Sequence, residues 1–443
     1  MQTESPIINK AIQQLEIPSL NEIQKATLLA NEKGQDIKLL APTGSGKTLA
    51  FLLPVLLSLS PEIKGIQALI LVPSRELALQ IEQVFRKMGT GFKVNCSYGG
   101  HSLKTEKNNF IHPPAILIGT PGRLADHVAQ RNFDTNDIHT LVLDEFDKSL
   151  EFGFEKDMSS ILYELRGLKK RILTSATKMK KVPEFTGVKD PIGVNFLQKT
   201  KPEGLSLKAV RSIGNDKLQL LFQLVCKLNF PEPKATLVFC NHRAAVERIS
   251  ELLWEKGLSH GIFHGGLEQD ARERNLIKFR NGSYNLLITT DLASRGLDIP
   301  DIENIIHYQL PQKEDVYIHR NGRTARMQAL GNSYLVLSLG EKIPSYIKEK
   351  LEMEELNEAF ELPKQPDWVT LYISAGKKEK VNKIDIVGLF YKKGKLQKDE
   401  LGMIEVQDHA AFVAIKRDKT NEVLGLLKGQ RLKKTKPKIE MAK

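Results

Sequence analysis

Between Ile37 and Thr177 the chain alternates short, largely apolar runs with helical stretches. The runs IKLLA, ALILVP, VNCSY, AILIGT, TLVLDE and RILTSAT suit strands buried on both faces, so the segment predicts βα units on a parallel sheet. A loop region is predicted near Lys189 to Gly204. The rhythm then restarts with TLVFC, HGIFHG, NLLITTD, NIIHYQL and SYLVLS and runs to about Ser338. Two α/β lobes follow from this, each offering functional loops at the carboxyl edge of its sheet. An acidic helical stretch, Glu341 to Phe360, and the linker PKQP, Pro363 to Pro366, are predicted next. The remainder reads as a βαββαβ unit: VTLYIS, a helix over Val381 to Phe390, a strand near Met403 to Val406, AFVAIK, a helix near Thr420 to Leu427 and a closing strand around Lys436 to Ile439. The expected division is residues 1–204, 205–345, a linker over 346–366, and 367–443.

A length of 443 residues suits two or three domains, each able to bury its own core. The net charge of +12 is unevenly spread, since residues 367–443 hold 18 Lys+Arg against 10 Asp+Glu, a net +8. A basic terminal block points to a polyanion, most often nucleic acid, although solvated lysines give the same count. The apolar run Leu49 to Leu59 is broken by Pro54 and too short to span a bilayer, and MQTESPIINK has no leader pattern, so a cytoplasmic protein with no membrane partner is expected. Cys96, Cys226 and Cys240 lie far apart without a CxxC pair, which argues against a disulfide framework or a zinc site.

The stretch APTGSGKT, Ala41 to Thr48, changes the picture most. Gly44 and Gly46 remove side chains where backbone N–H groups must turn toward phosphate oxygens, Lys47 brings a point charge for the outer phosphates, and Thr48 offers a hydroxyl to Mg2+. A strand-like run precedes it and a helix-compatible run, Leu49 to Leu57, follows. Ala41 stands where the usual pattern has glycine. At the end of TLVLDE sits DEFD, Asp144 to Asp147, in which Asp144 would hold magnesium through water and Glu145 would orient and deprotonate the attacking water. The second lobe supplies HRNGRTAR, His319 to Arg326. Arg323 and Arg326, three apart, could act as arginine fingers, and three arginines in seven residues beside Gly322 are costly to place together unless an anion is expected.

With these motifs in this order the chain resembles the DEAD-box ATP-dependent RNA helicases over about its first 345 residues. Ile23 and Gln24 resemble the adenine-reading glutamine motif. PSRELALQ, YGG and TPGR look like the first lobe's RNA-contacting motifs, and SAT, Ser175 to Thr177, like the element coupling hydrolysis to RNA. LVFCNHR, QDAR and TTDLASRGLD complete the set, and the family's phosphate loop normally begins with alanine, as Ala41 does here. The resemblance implies two tandem RecA-like parallel-sheet lobes that close on ATP, Mg2+ and single-stranded RNA. It implies ATP contacts from Gln24, Ala41, Pro42, Thr43, Gly44, Ser45, Gly46, Lys47, Thr48 and Asp298, and hydrolysis by Lys47, Asp144, Glu145, Arg323 and Arg326. Coupling falls to Asp147, Ser175, Thr177 and His319. Pro73, Arg75, Gly100, Thr120, Gly122, Arg123, Gln269, Arg272, Thr290 and Arg295 would hold RNA through phosphates and 2′-hydroxyls, so RNA is preferred over DNA without regard to sequence.

Four positions depart from the family pattern. Phe146 replaces the alanine of DEAD and puts a bulky ring where the family packs tightly against the SAT element, which bears on coupling. Ile7 stands where an aromatic usually lies 17 residues before the glutamine, and Asn321 and Ala325 alter the arginine motif; all four are expected to be tolerated. Beyond Asp367 the chain resembles the RNA-binding domain of the DbpA type of DEAD-box protein, through VTLYISAGKKEKV and HAAFVAIK. That implies a small RRM-like α+β domain anchoring the enzyme on a 23S rRNA hairpin, with pre-50S particles as partners. Asp408 to Ile415 keeps Ala411, Phe412 and Val413 of the RRM signature but has Ala410 and Ile415 in place of the outer aromatics, so base stacking on the sheet is not expected to be the main binding mode. Lys377, Lys378, Lys380 and Lys383 are the basic candidates, solvated helix-flanking lysines being the plainer alternative. A general mRNA or cold-response helicase, and an ATP-gated RNA clamp with little turnover, stay open beside the rRNA-remodelling reading.

Overall fold

A computed structural model describes residues 5–100, 103–179, 181–197, 204–212, 214, 216–229, 231–294, 302–324, 331–348, 351–356 and 361–442. The strands of the first lobe are β1 (Ile37–Leu40), β2 (Ala68–Leu71), β3 (Val94–Ser97), β4 (Ile116–Gly119), β5 (Thr140–Leu143), β6 (Lys170–Ser175) and β7 (Ile192–Asn195). They pair in parallel in the order β3-β4-β2-β5-β6-β1-β7. Strands β2, β4 and β5 are buried along their whole length, which is why they are unbroken apolar runs.

The second lobe repeats the plan. Its strands are β8 (Leu205–Arg211), β9 (Thr236–Phe239), β10 (Gly261–Phe263), β11 (Leu286–Thr289), β12 (Asn304–His307), β13 (Gly331–Leu337) and β14 (Glu352–Met353), ordered β10-β11-β9-β12-β13-β8-β14, again all parallel. The tail holds β15 (Trp368–Ile373), β16 (Leu401–Val406), β17 (Ala411–Lys416) and β18 (Ile439–Met441) in the antiparallel order β16-β17-β15-β18. The chain divides into two compact units, one built on the first sheet and one on the other two.

Several expectations need correction. The region taken as loop, Lys189 to Gly204, contains β7, an edge strand. The acidic stretch Glu341 to Phe360 is not helical in its described residues. It carries turns and β14, and its acids serve lysines of the lobe: Lys217 meets Glu341 at 2.8 Å, and Lys208 and Lys227 meet Glu354 at 2.8 and 2.5 Å. In the tail, the first helix is Lys383–Lys392, displaced toward the C-terminus because Asn382 and Asp385 form a capping box, and the closing strand lies at Ile439–Met441. Among the described residues no helix is long and apolar enough to cross a membrane.

Each face of the tail sheet has a partner. Leu371, Ile373, Val413 and Ile415 point into a core shared with Ile386, Leu389 and Phe390 of the helix Lys383–Lys392. Their neighbours in the alternation face the other way. There Tyr372 and Phe412, ring centroids 5.7 Å apart, pack with Ala442 against Ile277, which belongs to the helix Gln269–Arg280 of the second lobe. Thr370 shares a buried hydroxyl and amide cluster with Asn281 and Ser283, and Lys278 Nζ donates to the carbonyl of Ala442 at 2.9 Å. Gly282, at φ 76°, sits against Trp368, where a Cβ would come within 3.3 Å of the indole. The RRM-like sheet is therefore covered by the lobe, a physical reason of its own against base stacking there.

Candidate functional site

Three motifs leave the carboxyl ends of three adjacent strands of the first lobe: the phosphate loop after β1, SAT at the end of β6 and DEFD after β5. The loop turns through left-handed residues Gly44 and Gly46 into the helix Lys47–Ser58, whose first N–H groups face the loop's concavity. Lys47 Nζ donates to the carbonyls of Ala41 and Pro42 at 2.6 and 2.7 Å. Ser45 Oγ closes the turn on Pro42 O at 2.7 Å; Thr43 and Thr48 complete the half-buried lining.

Behind this loop, Asn21 and Gln24 form a capping box at the start of the helix Glu22–Glu32. Gln24 Nε2 lies 3.4 Å from Gly46 O, and Asn21 Nδ2 donates to Ser45 O at 3.0 Å. A Cβ at Gly46 would meet Gln24 Nε2 at 2.7 Å, so the loop's second glycine gives the glutamine its approach. Asn21 was not singled out from the sequence; its place three residues before Gln24 was the available signal. Ile7 is half-buried against the lobe's core.

Asp144 is buried at the end of β5, its Oδ1 taking the Glu145 N–H at 3.0 Å and the Thr174 hydroxyl. Burial pushes its carboxyl up from the ordinary value, while the Thr174 hydroxyl and the Lys47 ammonium pull it down. A buried carboxylate held against its desolvation cost, with the Thr48 hydroxyl as a second oxygen donor, fits a hard divalent cation such as Mg2+. Among the described residues no group of three or more His, Cys, Asp or Glu could hold a metal, so most of the ion's ligands would be phosphate and water. Thr174, just before SAT, also lies 3.2 Å from the Glu145 N–H through Oγ1 and was missed in the sequence. Glu145 itself has φ 45°, a left-handed turn that points the chain into the helix Phe146–Glu151.

The Phe146 ring is fully buried with Met158, Ile161 and Leu173 and lies 6.2 Å from the Phe185 ring. Thr177 Oγ1 donates to Asp147 Oδ2 at 2.6 Å, and Ser175 Oγ accepts the Thr177 N–H at 3.0 Å, so DEFD and SAT are joined.

The remaining motifs of the lobe occupy the other half of the same edge, after β2, β4 and β3. Pro73 precedes the helix Arg75–Lys87, and the Arg75 guanidinium lies against Gly99 and Gly100, the latter at φ 106°; a Cβ on Gly100 would meet Arg75 Nη1 at 2.5 Å. Thr120 stands just before the helix Pro121–Ala129, which carries Gly122 and Arg123. Glu106 lies 3.9 Å from Arg123 Nε and bonds Ser97 and His127; burial works to raise its carboxyl, but those hydrogen bonds and Arg123 outweigh it and hold it below its ordinary value. The phosphate loop thus sits toward one end of the edge and the motifs around Arg75, Gly100 and Arg123 toward the other.

In the second lobe Gln269 and Arg272 open the helix Gln269–Arg280, bonded to one another, and Thr290 follows β11 with its N–H on Phe263 O. The helix Glu314–Asn321 presents His319, buried, and leads to Arg323, also buried. Arg320, one of the three clustered arginines, is not an anion receptor. It is fully buried, with Nε on Asp291 at 2.6 Å, Nη1 on Gln309 O and Nη2 on Asn241 Oδ1, each at 2.8 Å. Asn321 is accounted for by its neighbours: Oδ1 takes the Ser333 hydroxyl at 2.8 Å and faces His307 Nε2 at 3.0 Å. Burial pushes the His307 imidazole down to about 3, so the ring is neutral. Arg295, Asp298, Ala325 and Arg326 lie outside the described residues.

Lys377, Lys378, Lys380 and Lys383 are all exposed at one end of the tail domain. Lys433, not singled out from the sequence, joins them, its Nζ bonding Lys380 O at 2.5 Å and Asp385 at 2.8 Å; its run RLKKTKPK was the available signal.

Known proteins carry the same parts in the same order. A family model of DEAD/DEAH box helicases matches residues 21–185, one of the helicase conserved C-terminal domain matches 216–328, and one of the DbpA RNA binding domain matches 370–441. The ATP-dependent RNA helicase DbpA of Escherichia coli (strain K12) is 30% identical over 94% of this chain and 93% of its own length. DbpA of Bacillus subtilis (strain 168) is 28% identical over 98% and 97%. Among solved structures, S. cerevisiae Dbp5 bound to RNA and ADP BeF3 superposes with a TM-score of 0.69 at 26% identity, covering 79% of this chain and 93% of that one. Mss116p bound to ssRNA and AMP-PNP gives 0.68 at 26% identity, over 80% and 78%. By its motifs, its two parallel-sheet lobes and its tail, this chain belongs to the DEAD-box family of ATP-dependent RNA helicases and, within it, to the DbpA type.

Proposed function

We propose that this helicase uses RNA-stimulated ATP hydrolysis to remodel 23S rRNA in the cytoplasm during assembly of the large ribosomal subunit, residues 1–204 and 205–345 forming the motor and 367–443 the address. ATP lies in the loop Ala41 to Thr48 with Gln24 reading adenine, and Thr48 and, through water, Asp144 would hold Mg2+, which would offset the phosphate charge. Glu145 orients and deprotonates the attacking water. Closure of the lobes on ATP and RNA brings Arg323 and Arg326 to the γ-phosphate, with Asp298 on the nucleotide, and bends the RNA held by the core motifs, so that a nearby duplex loses a strand. Asp147, Ser175, Thr177 and His319 couple the two events.

The observation that carries the motor is the bonded triad of motifs on β1, β6 and β5, Asp144 to Thr174 and Asp147 to Thr177, beside the RNA motifs of the same sheet edge. It also counts against an ATP-gated clamp, since the DEFD-to-SAT link persists with Phe146 in place. The rRNA address is supported by the tail's match to the DbpA RNA binding domain and by exposed Lys377, Lys378, Lys380 and Lys383. The test is ATPase stimulation by 23S rRNA fragments against unrelated RNA of equal length. A half-activating concentration about tenfold lower for one 23S fragment, about 1.4 kcal/mol of specific binding, is expected. Equal stimulation would leave a general RNA helicase without an address.

A further inference from the structure

The tail touches the motor at more than an inert packing surface. The helix Gln269–Arg280 buries its later residues, Ile277 and Lys278, against the tail sheet, while its first turn carries the QDAR residues Gln269 and Arg272. Between these ends lies Glu273, one helical turn after Gln269 and on the same face. Glu273 Oε1 accepts the Gln269 side-chain amide at 2.6 Å, and Gln269 Oε1 in turn accepts Arg272 Nη2. The other carboxylate oxygen, Oε2, accepts Gln407 Nε2 at 3.1 Å.

Gln407 is a residue of the tail, placed in the turn that joins β16 to β17, and its backbone is fixed from two directions. Its N–H closes the turn on Ala410 O at 2.8 Å, and its carbonyl accepts the N–H of Lys377 at 2.9 Å; the N–H of Lys378 reaches Asp408 O at 2.8 Å. The fit tolerates no side chain at Gly376, where a Cβ would lie 2.2 Å from Gln407 O. A continuous set of hydrogen bonds thus runs from the lysine loop, through the turn, to the RNA motif of the second lobe.

We propose that Gln407 is a positioning residue for the motor's RNA contact: through Glu273 it fixes the side chains of Gln269 and Arg272 in the arrangement that holds the RNA backbone. The long, flexible glutamine and arginine lose rotamer freedom on meeting a phosphate, and a carboxylate anchored from the tail removes part of that loss in advance. The tail then raises the motor's affinity even for RNA that it does not itself bind. The inference rests on the reading that Gln269 and Arg272 contact RNA.

The test uses the full chain and a short single-stranded RNA without rRNA sequence, and measures the RNA concentration for half-maximal ATPase, kcat at saturating RNA, KM for ATP and the melting temperature. Gln407→Ala is expected to raise the half-activating RNA concentration about fivefold, the share of one charge-assisted hydrogen bond, with KM for ATP and the melting temperature unchanged. Gln407→Glu sets two carboxylates together and is expected to raise it further, and adding Glu273→Gln to that variant, which swaps donor and acceptor, is expected to bring it back. A merely structural role would move stability and would not be rescued in RNA affinity by the swap. Arg272→Ala is the control. If it weakens RNA activation while Gln407→Ala stays within twofold of the parent and the swap rescues nothing, the positioning role is overturned; if Arg272→Ala has no effect, the RNA-contact reading itself falls, and this inference with it.

Discussion

Replacing Phe146 by the alanine usual in the family should harm this protein. The ring is wholly excluded from solvent and is enclosed by Leu143, Met158, Ile161 and Leu173 together with Phe185. Removing it from so filled a site forfeits the transfer free energy of the ring and leaves a cavity, about 3–5 kcal/mol for a buried Phe→Ala change. That is a large share of the roughly 5–15 kcal/mol that stabilises a typical domain. Phe146→Leu keeps most of the volume and should cost about 1.5 kcal/mol or less. The Thr177-to-Asp147 bond does not run through the ring, so RNA-stimulated turnover measured well below the unfolding temperature should stay within about twofold, a change of only about 0.4 kcal/mol in barrier. Urea denaturation followed by far-UV circular dichroism gives the first quantity, and steady-state phosphate release at saturating RNA the second. A loss below about 1 kcal/mol would refute the packing argument. A severalfold gain in turnover on Phe146→Ala would refute the claim that the ring leaves coupling intact and revive the idea that it crowds SAT.

Thr174→Val removes the hydroxyl that donates to Asp144 and bonds the Glu145 N–H, so the Asp144 carboxyl should rise further and RNA-saturated kcat fall about tenfold, with the acidic limb of the pH–rate profile moved to higher pH. An unmoved limb with kcat within twofold would refute that role. His260 sits between Ser250 Oγ and Leu258 O, and burial pushes it from 6.5 down to about 4. Because the folded value is depressed, the unfolded chain takes up the proton first: the stabilisation is intact above pH 6.5 and is lost as pH falls toward 4, about 2 kcal/mol between pH 7 and pH 5. The urea midpoint of the parent should therefore fall more steeply over that interval than that of His260→Gln; parallel curves would refute the assignment.

The central strands buried along their whole length were legible, because burial on both faces keeps most of their residues apolar. Strands β2, β4, β5, β9, β11 and β12 are of this kind. What escaped notice lies at a sheet edge or next to one. Strand β7 contains Gly193 and Asn195 and is half exposed, β8 carries Ser206 and Lys208, and β14 has two residues. The acids between Glu341 and Glu354 look helical in sequence, yet their partners are lysines over a hundred residues earlier, and no local pattern encodes such pairs. The phosphate loop, DEFD and SAT were legible because each is contiguous. Asn21, Thr174 and Gln407 were not, since each acts on a motif from outside it. The arginine cluster misled for a related reason: Arg320 serves Asp291 inside the lobe, and composition cannot tell an inward guanidinium from an outward one.

The sheet of the tail is roofed by a helix of the second lobe. On the proposed function, RNA held by the tail would accordingly travel with that lobe through each cycle, much as one jaw of a caliper carries its own scale. Severed from the lobe, the tail would bare Tyr372 and Phe412 as a greasy aromatic face, and solubility would be the first thing to suffer.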